Sequence, residues 1–387
     1  MKEKFTLLAL TLLPAAAMAD ATLYGKLAVG VEYGKAAGYS FQTDPKATSD
    51  GLFYEQYKAG MLVGDNGSFI GFKGNESLGN GLKAIWQVEQ KLRLDGSADG
   101  DGAKWATRNS FVGLSGGFGT LRLGNLGTYL KDDMQKVDPW AYGDGVNGLS
   151  ILSTNWLDDY VRNAIRYDSP ELAGFKLTAL YGVDEVRHYA AAGTRRTNQN
   201  ISSLGLGFEH EGFFIDAGYV KFGSADLEPS LESEGMAGSG KKSSHYWRLE
   251  TGYDNGKLAL ALAYGQNKIY NPSENLMKKF RDPQERDGVF DPENSLSTTE
   301  AAITVAYTFG AFTPRISYAR IWGIRDEMPN EEIKKSSIDE KISQYVVGLD
   351  YALSKRTLAH VSYGLVTSAM EKASTEQTLG FGLTHSF

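Results

Sequence analysis

The feature that most constrains this chain is a period-two alternation of apolar and charged side chains, repeated along almost its whole length. The stretch from Leu82 to Leu94 is typical, because its charges fall on one face and its apolar side chains on the other. The charged face carries Lys83, Glu89, Lys91 and Arg93, and the opposite face carries Leu82, Trp86, Val88 and Leu92. A helix would scatter these charges around its axis, whereas a strand places them on one side. The pattern therefore predicts strands with one charged face.

Segments with this alternation recur about sixteen times, and the connections between them alternate in length. They lie near residues 22–33, 67–74, 81–94, 105–114, 119–124, 161–167, 174–182, 200–209, 212–222, 244–254, 257–267, 298–309, 313–322, 341–352, 357–366 and 375–387. Short connections occur, for example, at Glu76–Asn80, His210–Glu211 and Gly310–Phe312, and those between them are mostly long and polar. An even strand number with short turns at one end and long loops at the other is typical of bacterial transmembrane barrels.

The strand charges decide between a membrane barrel and a soluble all-β fold. In lipid, a strand with one charged face is tolerated only if the sheet closes and that face points inward. These charges are too many for a dry core, so they predict a water-filled lumen. A soluble β-sandwich or propeller would also alternate, but it explains neither the two classes of connection nor the aromatic strand ends. The predicted fold is all-β: a transmembrane 16-stranded antiparallel β-barrel.

The first residues differ from the rest of the chain. Lys2 and Lys4 precede an apolar stretch, and Ala17-Met18-Ala19 supplies small residues suited to cleavage. This is the layout of a secretory signal peptide. We therefore expect a signal peptide at residues 1–19 and one barrel domain at residues 20–387, exported through the periplasm.

Composition and motifs argue against other classes of protein. No apolar run approaches the length of a membrane helix, and a formal net charge of −7 gives no basic surface for nucleic acid. There is no cysteine, and the five histidines show no metal-ligand spacing. Gly113–Gly117 fits the pattern of a serine-hydrolase nucleophile elbow, but Ser115 falls in a predicted turn with no helix after it. We expect no enzyme activity, no metal and no cofactor.

The longest connection between predicted strands, Asn125 to Tyr160, combines many charges with large apolar side chains. A segment this long inside a compact domain is usually functional or disordered. Its Pro139, Trp140 and Tyr142 predict that it packs against another part of the protein.

Several segments of the chain match a known family. They include Thr22–Lys26, Gly67–Gly74, Leu78–Gln90, Arg108–Leu114, Phe118–Arg122, Arg166–Glu171, Thr313–Ala319, Leu353–Thr357 and Gly382–Phe387. On these segments the chain resembles the Gram-negative general porins, and most closely the neisserial porins. The matches run from Thr22 to the last residue, whereas the predicted loops diverge.

The resemblance implies a homotrimer in the bacterial outer membrane that passes ions and small hydrophilic solutes by diffusion. It also implies that the third loop folds into the pore. Basic residues of the barrel wall would then face acidic residues of that loop at a constriction. Phe387 would act as the signal that the outer-membrane assembly machinery recognises. The expected partners are thus outer-membrane lipid, two further copies of the chain, the permeating solutes and that machinery.

Matching positions one by one gives the expected constriction. The wall residues are Lys26, Arg122, Arg162 and Arg166, and the opposing loop acids are Asp138 and Asp144. Arg162 and Arg166 are an even number of residues apart, which predicts that both face the lumen. Lys83, Glu89, Lys91 and Arg93 are expected to line the lumen elsewhere. Phe69 and Asn125 stand where enterobacterial relatives carry arginine, so the basic cluster must be arranged differently here.

The predicted function is an outer-membrane porin with a weak preference for anions, because the expected wall residues are mainly basic. Two alternatives remain open at this point. The chain could be a channel dedicated to one class of anionic solute, or a surface barrel that acts mainly as an adhesin or ligand-binding protein.

Overall fold

A computed structural model describes residues 21–35, 59–97, 104–140, 148–153, 160–183, 200–224, 242–270, 295–327, 336–338, 341–368 and 375–387. The predicted signal peptide, residues 1–19, lies outside these ranges. Within them, no helix is long and apolar enough to cross a membrane.

The described residues form eighteen strands and one short helix. The strands are β1 Thr22–Lys35, β2 Gly60–Asp65, β3 Phe69–Gly79, β4 Leu82–Lys91, β5 Ser110–Gly116, β6 Gly119–Gly127, β7 Tyr160–Asp168, β8 Phe175–Gly182, β9 Ile201–His210, β10 Phe213–Ser224, β11 Ser243–Asp254, β12 Leu258–Tyr270, β13 Ser295–Tyr307, β14 Phe312–Glu327, β15 Ser336–Ile338, β16 Ile342–Ala352, β17 Thr357–Ser368 and β18 Glu376–Ser386. The helix, α1, spans Tyr129–Asp132 between β6 and β7.

The strands form one closed antiparallel sheet. Each strand pairs with its neighbours in sequence, and β18 pairs with β1, with Lys26 opposite Ser386. Both β2 and β3 pair with β1, and both β15 and β16 pair with β14, so each of these couples forms one interrupted wall strand. The described part of the chain therefore builds sixteen wall strands, and the predicted 16-stranded antiparallel barrel is confirmed. The separate strand β2 was not predicted.

Tight turns join the strands at one end of the barrel, at the predicted positions. Three of these turns place two successive residues at positive φ: Asn80-Gly81 at 51° and 78°, Ala173-Gly174 at 52° and 84°, and Glu211-Gly212 at 50° and 83°. Two positive φ values define the type I′ geometry that suits the twist of a hairpin. Glycine adopts the second position without steric cost.

The two faces of the sheet differ as the alternation predicted. Large apolar side chains such as Leu204, Leu249, Ile303 and Val347 are exposed on one face, which we call the outer face. Aromatic pairs lie on this face near the tight turns, for example Phe213 with Tyr253 and Phe312 with Tyr351. Exposed apolar side chains flanked by aromatic residues are what a lipid-facing barrel surface requires. The opposite face, the inner face, carries most of the strand charges.

The largest apolar cluster lies inside the barrel. It brings the segment between β6 and β7, including Val137, Trp140 and Leu149, against inner-face side chains such as Phe214 and Val346. The members from the wall belong to β10, β12, β13, β14, β16 and β17. The inner face is therefore covered by chain at six of the sixteen wall strands.

Candidate pore constriction

The described residues between β6 and β7 are 128–140 and 148–153, which we call the inner loop. The loop begins with α1, whose N-terminus is capped by the Thr128 side chain accepting from the Lys131 N–H at 3.2 Å. Tyr129 packs over Gly205 and Gly207 of β9, where a Cβ atom would overlap its ring. Its hydroxyl donates to Asp216 of β10 at 2.6 Å. Burial and this carboxylate raise the pKa of Tyr129, so the hydroxyl stays a donor.

Arg166 of β7 holds the first turn of the loop. Its Nη1 atom donates to the Gly127 carbonyl at 2.8 Å and to Asp132 at 2.9 Å. Its Nη2 atom donates to Asp133 at 2.6 Å and to Asp168 at 2.9 Å. The side chain is about 2% exposed, and three carboxylates pair with this one buried guanidinium. Burial raises the pKa of the Asp132 carboxyl, and the Arg166 charge opposes that rise.

Two wall carboxylates hold the middle and the end of the loop. Glu250 of β11, 0% exposed, accepts a hydrogen bond from the Val137 backbone N–H at 2.5 Å. Glu300 of β13, 2% exposed, accepts from both the backbone N–H and the hydroxyl of Ser153 at 2.7 and 2.6 Å. Hydrogen bonds to ionised groups are stronger than neutral ones. The acids of this wall therefore bind the loop and do not face the lumen.

Trp140 anchors the loop on β14. Its Nε1 atom donates to the Ser317 hydroxyl at 2.7 Å, and its ring fills the space above Gly348 of β16. Arg315, which pairs with Asp350, donates from Nη1 to the Pro139 carbonyl at 2.5 Å. The predicted packing of Trp140 is confirmed by its 3% exposure.

Gln344 of β16 contacts the last described part of the loop. Its Nε2 atom donates to the Gly148 carbonyl, and its Oε1 atom accepts from the Ile151 N–H at 3.3 Å. With the contacts above, the loop is bound to inner-face side chains of β7, β10, β11, β13, β14 and β16. These hydrogen bonds thus lie on the β7–β16 part of the wall, and β1 and β3–β6 form a stretch of wall that they do not reach.

Arg108, just before β5, lies on the part of the wall that the described inner loop leaves uncovered. Its guanidinium carbon lies 4.6 Å from the Phe69 ring centre and 5.5 Å from that of Tyr160. Its Nε atom donates to Glu89 at 3.3 Å, and its side chain is 28% exposed. Asn125 fixes the backbone beneath it, with Nδ2 donating to the Arg108 carbonyl at 2.9 Å. Phe69 and Asn125, the two departures from the family pattern, therefore both support this arginine.

Lys26 and Arg122, two of the expected wall residues, lie half-buried on the inner face of β1 and β6. Arg122 donates from Nη2 to Asp168 at 2.5 Å and stacks 5.3 Å from the centre of the Phe111 ring. Its charge is therefore partly compensated, while its side chain keeps 17% exposure.

The structure separates Arg162 from Arg166. A register shift between Gly124 and Leu126 interrupts the pairing of β6 with β7, and Asn163 has a φ of 53°. This bulge breaks the period of two, so Val161 is buried and Arg162 is exposed. The prediction that Arg162 and Arg166 share a face assumed a regular strand and does not hold. Arg166 does lie on the inner face, but its guanidinium forms ion pairs with the loop acids Asp132 and Asp133.

The other predicted residues occupy varied environments. Lys83 is exposed, Lys91 and Arg93 are half-buried, and Glu89 is buried, accepting from Tyr24 at 2.7 Å. Asp138 is half-buried in the inner loop, and Asp144 lies outside the described residues. Phe387 exchanges two backbone hydrogen bonds of 3.1 Å with Gly25 at the seam of the barrel.

Sequence reasoning missed most of the residues that hold the loop. Glu250 and Glu300 were not singled out by the sequence, and Arg108 entered only within a family motif. Alternation shows which face a side chain occupies, but not which loop atom it meets. Arg108 also precedes β5, in a stretch where Ala106 has a φ of 59°, so no strand pattern marks its direction.

Comparison with known sequences identifies relatives along the whole chain. The family model described as "Gram-negative porin" matches residues 39–387. The "Major outer membrane protein P.IB" of Neisseria lactamica is 35% identical over 388 residues and covers 100% of both chains. The protein of the same name from Neisseria gonorrhoeae is 34% identical over 370 residues, covering 94% of this chain and 93% of that one.

Solved structures share the fold at much lower identity. An anion-selective porin from Comamonas acidovorans superposes with a TM-score of 0.65 at 18% identity, covering 95% of this chain and 100% of that one. In-vitro folded OmpT of Vibrio cholerae gives a TM-score of 0.60 at 14% identity, covering 95% and 97%.

A closed sixteen-stranded sheet with an apolar outer face and a charged interior defines a transmembrane β-barrel channel. The chain belongs to the Gram-negative porin family, as the predicted resemblance stated. It is a porin of the bacterial outer membrane.

Proposed function

We propose that this porin is a general-diffusion channel that favours anions, with its constriction between the inner loop and the wall formed by β1 and β3–β6. The observation that carries the proposal is the segregation of charge by the loop. Inner-face acids of β10, β11 and β13 are buried beneath it, whereas basic side chains on the opposite wall keep contact with the lumen.

The two sets of charges differ in solvent exposure. Glu250 and Glu300 are almost fully buried, and Asp133 pairs with Arg166 and Lys176. Lys26, Lys91, Arg93, Arg108 and Arg122 remain half-buried on the uncovered side. An ion in the water-filled part of the lumen responds mainly to charges that share that water. The lumen potential is therefore proposed to be positive although the whole chain carries −7.

The first test is the reversal potential of the refolded protein in a planar bilayer under a potassium chloride gradient. The sign expected is that of chloride preference. Lys26→Glu should shift the reversal potential toward cations. Lys257→Glu is the matched control, because this substitution changes the charge by the same amount at an exposed tight turn.

Each result has a defined meaning. A cation-selective wild type would contradict the anion preference. Equal shifts of the reversal potential in Lys26→Glu and Lys257→Glu would show that the overall charge of the protein causes the effect. Lys26 would then not be part of the constriction.

A channel dedicated to one class of anionic solute is the second candidate. It is supported by Arg108, whose guanidinium lies against the Phe69 and Tyr160 rings while the side chain stays 28% exposed. A fixed guanidinium suits bidentate contact with a carboxylate. Conductance that saturates with a carboxylate salt but not with chloride would favour this candidate.

We also propose the homotrimer that family membership suggests. A trimer-form structure of Vibrio cholerae OmpT is among the barrels that share the fold. Conductance that closes in three equal steps, with a matching mass in detergent, would support it. A monomeric mass with single-step closure would contradict it.

Phe387 is proposed as the assembly signal. The support is its position at the seam of the barrel, where its backbone pairs with Gly25. Phe387→Ala should lower the yield of barrel inserted in the outer membrane more than it lowers refolding in detergent. No catalytic role is proposed: Ser115 lies on β5 beside the turn to β6, with its hydroxyl 3.1 Å from that of Thr120.

A further inference from the structure

The outer face of β10–β14 carries a row of polar and basic side chains at one level. The pairing register joins them directly: Lys221 opposite His245, His245 opposite Lys268, Lys268 opposite Ser297, and Ser297 opposite Arg325. We call these five residues the outer row. Neighbouring strands are about 4.8 Å apart, so the row spans about 19 Å.

The outer row lies on the membrane side of the wall. Lys221 shares its face with Tyr219, and Lys268 shares its face with Leu262 and Tyr264, all of which are exposed. The bulge between Ser297 and Thr299 keeps Arg325 on this face, because Ile324 beside it is fully buried toward the interior. Lys221 and Arg325 are exposed, and His245 and Lys268 are half-buried.

The level of the row is that of a membrane interface. The next row toward the tight turns consists of Tyr219, Trp247, Gln266, Thr299 and Trp322, which are likewise joined in register. We call it the aromatic row after its tyrosine and two tryptophans. Aromatic side chains of this kind mark the boundary between the apolar core and the headgroups. The outer row lies one step farther from the tight turns, at the end of the long connections, which is the extracellular end of such barrels.

Charge is sorted between the two faces of these strands. Their inner face carries the acids Asp216, Glu250 and Glu300, whereas neither the outer row nor the aromatic row contains an acid. Cations placed side by side on a sheet repel one another. An anion placed between Lys221 and Lys268, about 10 Å apart, would relieve that repulsion.

We propose that the outer row binds the phosphate of a lipid headgroup in the outer leaflet, with the acyl chains lying against the apolar wall below. The aromatic row and the exposed Leu249, Leu262 and Ile303 supply the surface for those chains. Lys268 is also held near the Tyr270 ring, with Nζ 5.3 Å from its centre, which keeps the cation at the level of the row. The site lies outside the pore, so it is independent of the proposed ion preference.

The test uses the refolded wild-type protein in bilayers of equimolar phosphatidylcholine and phosphatidic acid, extracted in mild detergent and weighed by native mass spectrometry. The wild type should retain phosphatidic acid in excess over phosphatidylcholine. Lys221→Gln/Lys268→Gln/Arg325→Gln should reduce the retained phosphatidic acid about tenfold or more. Its single-channel conductance should be unchanged.

The matched control is Lys257→Gln/Lys355→Gln/Arg356→Gln, which removes three exposed cations at the opposite end of the barrel. It should retain phosphatidic acid as the wild type does. If the first triple variant does not refold, Lys221→Gln alone gives the same comparison with a smaller loss.

Three results would overturn the proposal. One is equal retention by the wild type and the outer-row variant, and another is equal retention of the two lipids by the wild type. The third is complete displacement of the retained phosphatidic acid by inorganic phosphate, but not by sodium chloride at the same ionic strength, because the acyl chains would then contribute nothing and the row would bind free phosphate.

Discussion

Arg166 of the barrel wall donates from Nη2 to Asp133 of the inner loop across 2.6 Å, with the arginine side chain about 2% exposed. A cation expected to line the pore instead binds the start of the inner loop. It pairs with Asp132, Asp133 and Asp168, so removing it leaves these three acids with only Arg122 and Lys176 as cationic partners.

Arg166→Gln is therefore expected to destabilise the barrel by about 3–5 kcal/mol, the cost of breaking a buried charge network on one side. Urea unfolding of the refolded protein, followed by tryptophan fluorescence, measures this loss. The open channel should also become noisier because the start of the loop is released.

Lys176→Gln is the control for Arg166→Gln. Lys176 contacts the same Asp133 at 2.9 Å, but its side chain is 38% exposed. Exposed pairs contribute at most about 1 kcal/mol. If both variants lose the same stability, the buried position of Arg166 is not what holds the loop.

Trp140 should be the main apolar anchor of the loop. Trp140→Ala removes a buried ring from the interior cluster and should cost about 3–5 kcal/mol. The same urea experiment measures it, and Trp105→Ala is the control because Trp105 is 65% exposed. A loss of less than 1 kcal/mol for Trp140→Ala would mean that the loop is held by its polar contacts alone.

The barrel was predictable from sequence because lipid imposes one simple rule on every strand. Leu82, Trp86 and Val88 had to face outward and Glu89 inward, and the turns followed from the Gly-containing breaks between strands. The rule fails where a strand is irregular. The bulge at Asn163 adds a residue to β7. Arg162 and Arg166 therefore do not share a face, although they are an even number of residues apart.

The contacts of the inner loop were less predictable because they join residues that are far apart in sequence. Glu300 and Ser153 are 147 residues apart, and Gln344 and Ile151 are 193 apart. No periodicity relates such pairs. Aromatic and proline residues showed that the long connection packs, as Trp140 does, but not on which strands.

The type I′ turns predict a simple gain in stability. Ala173 has a φ of 52° in a position that asparagine adopts more readily, as Asn80 does at 51° in the equivalent turn. Ala173→Asn should stabilise the barrel by about 0.5–1 kcal/mol, and Asn80→Ala should destabilise it by a similar amount. Thermal unfolding, followed by the gel shift between folded and unfolded barrel, compares the two variants. Changes of the same sign would rule out turn strain as their cause.

Arg108 and Glu89 form a pair of opposite charges on the uncovered wall, with Nε and Oε2 3.3 Å apart. Neutralising Arg108 and neutralising Glu89 should change the ion preference in opposite directions, because the two side chains contribute charges of opposite sign to the lumen potential. Arg108→Gln should lower the ratio of chloride to potassium permeability by about twofold, and Glu89→Gln should raise it by a similar factor. Arg108→Lys keeps the charge and should stay close to the wild type, which separates charge from packing on Phe69 and Tyr160. Reversal potentials under a potassium chloride gradient measure all three variants. Shifts of Arg108→Gln and Glu89→Gln in the same direction would show that these substitutions act by moving the wall or the loop, and the proposed constriction would then lie elsewhere.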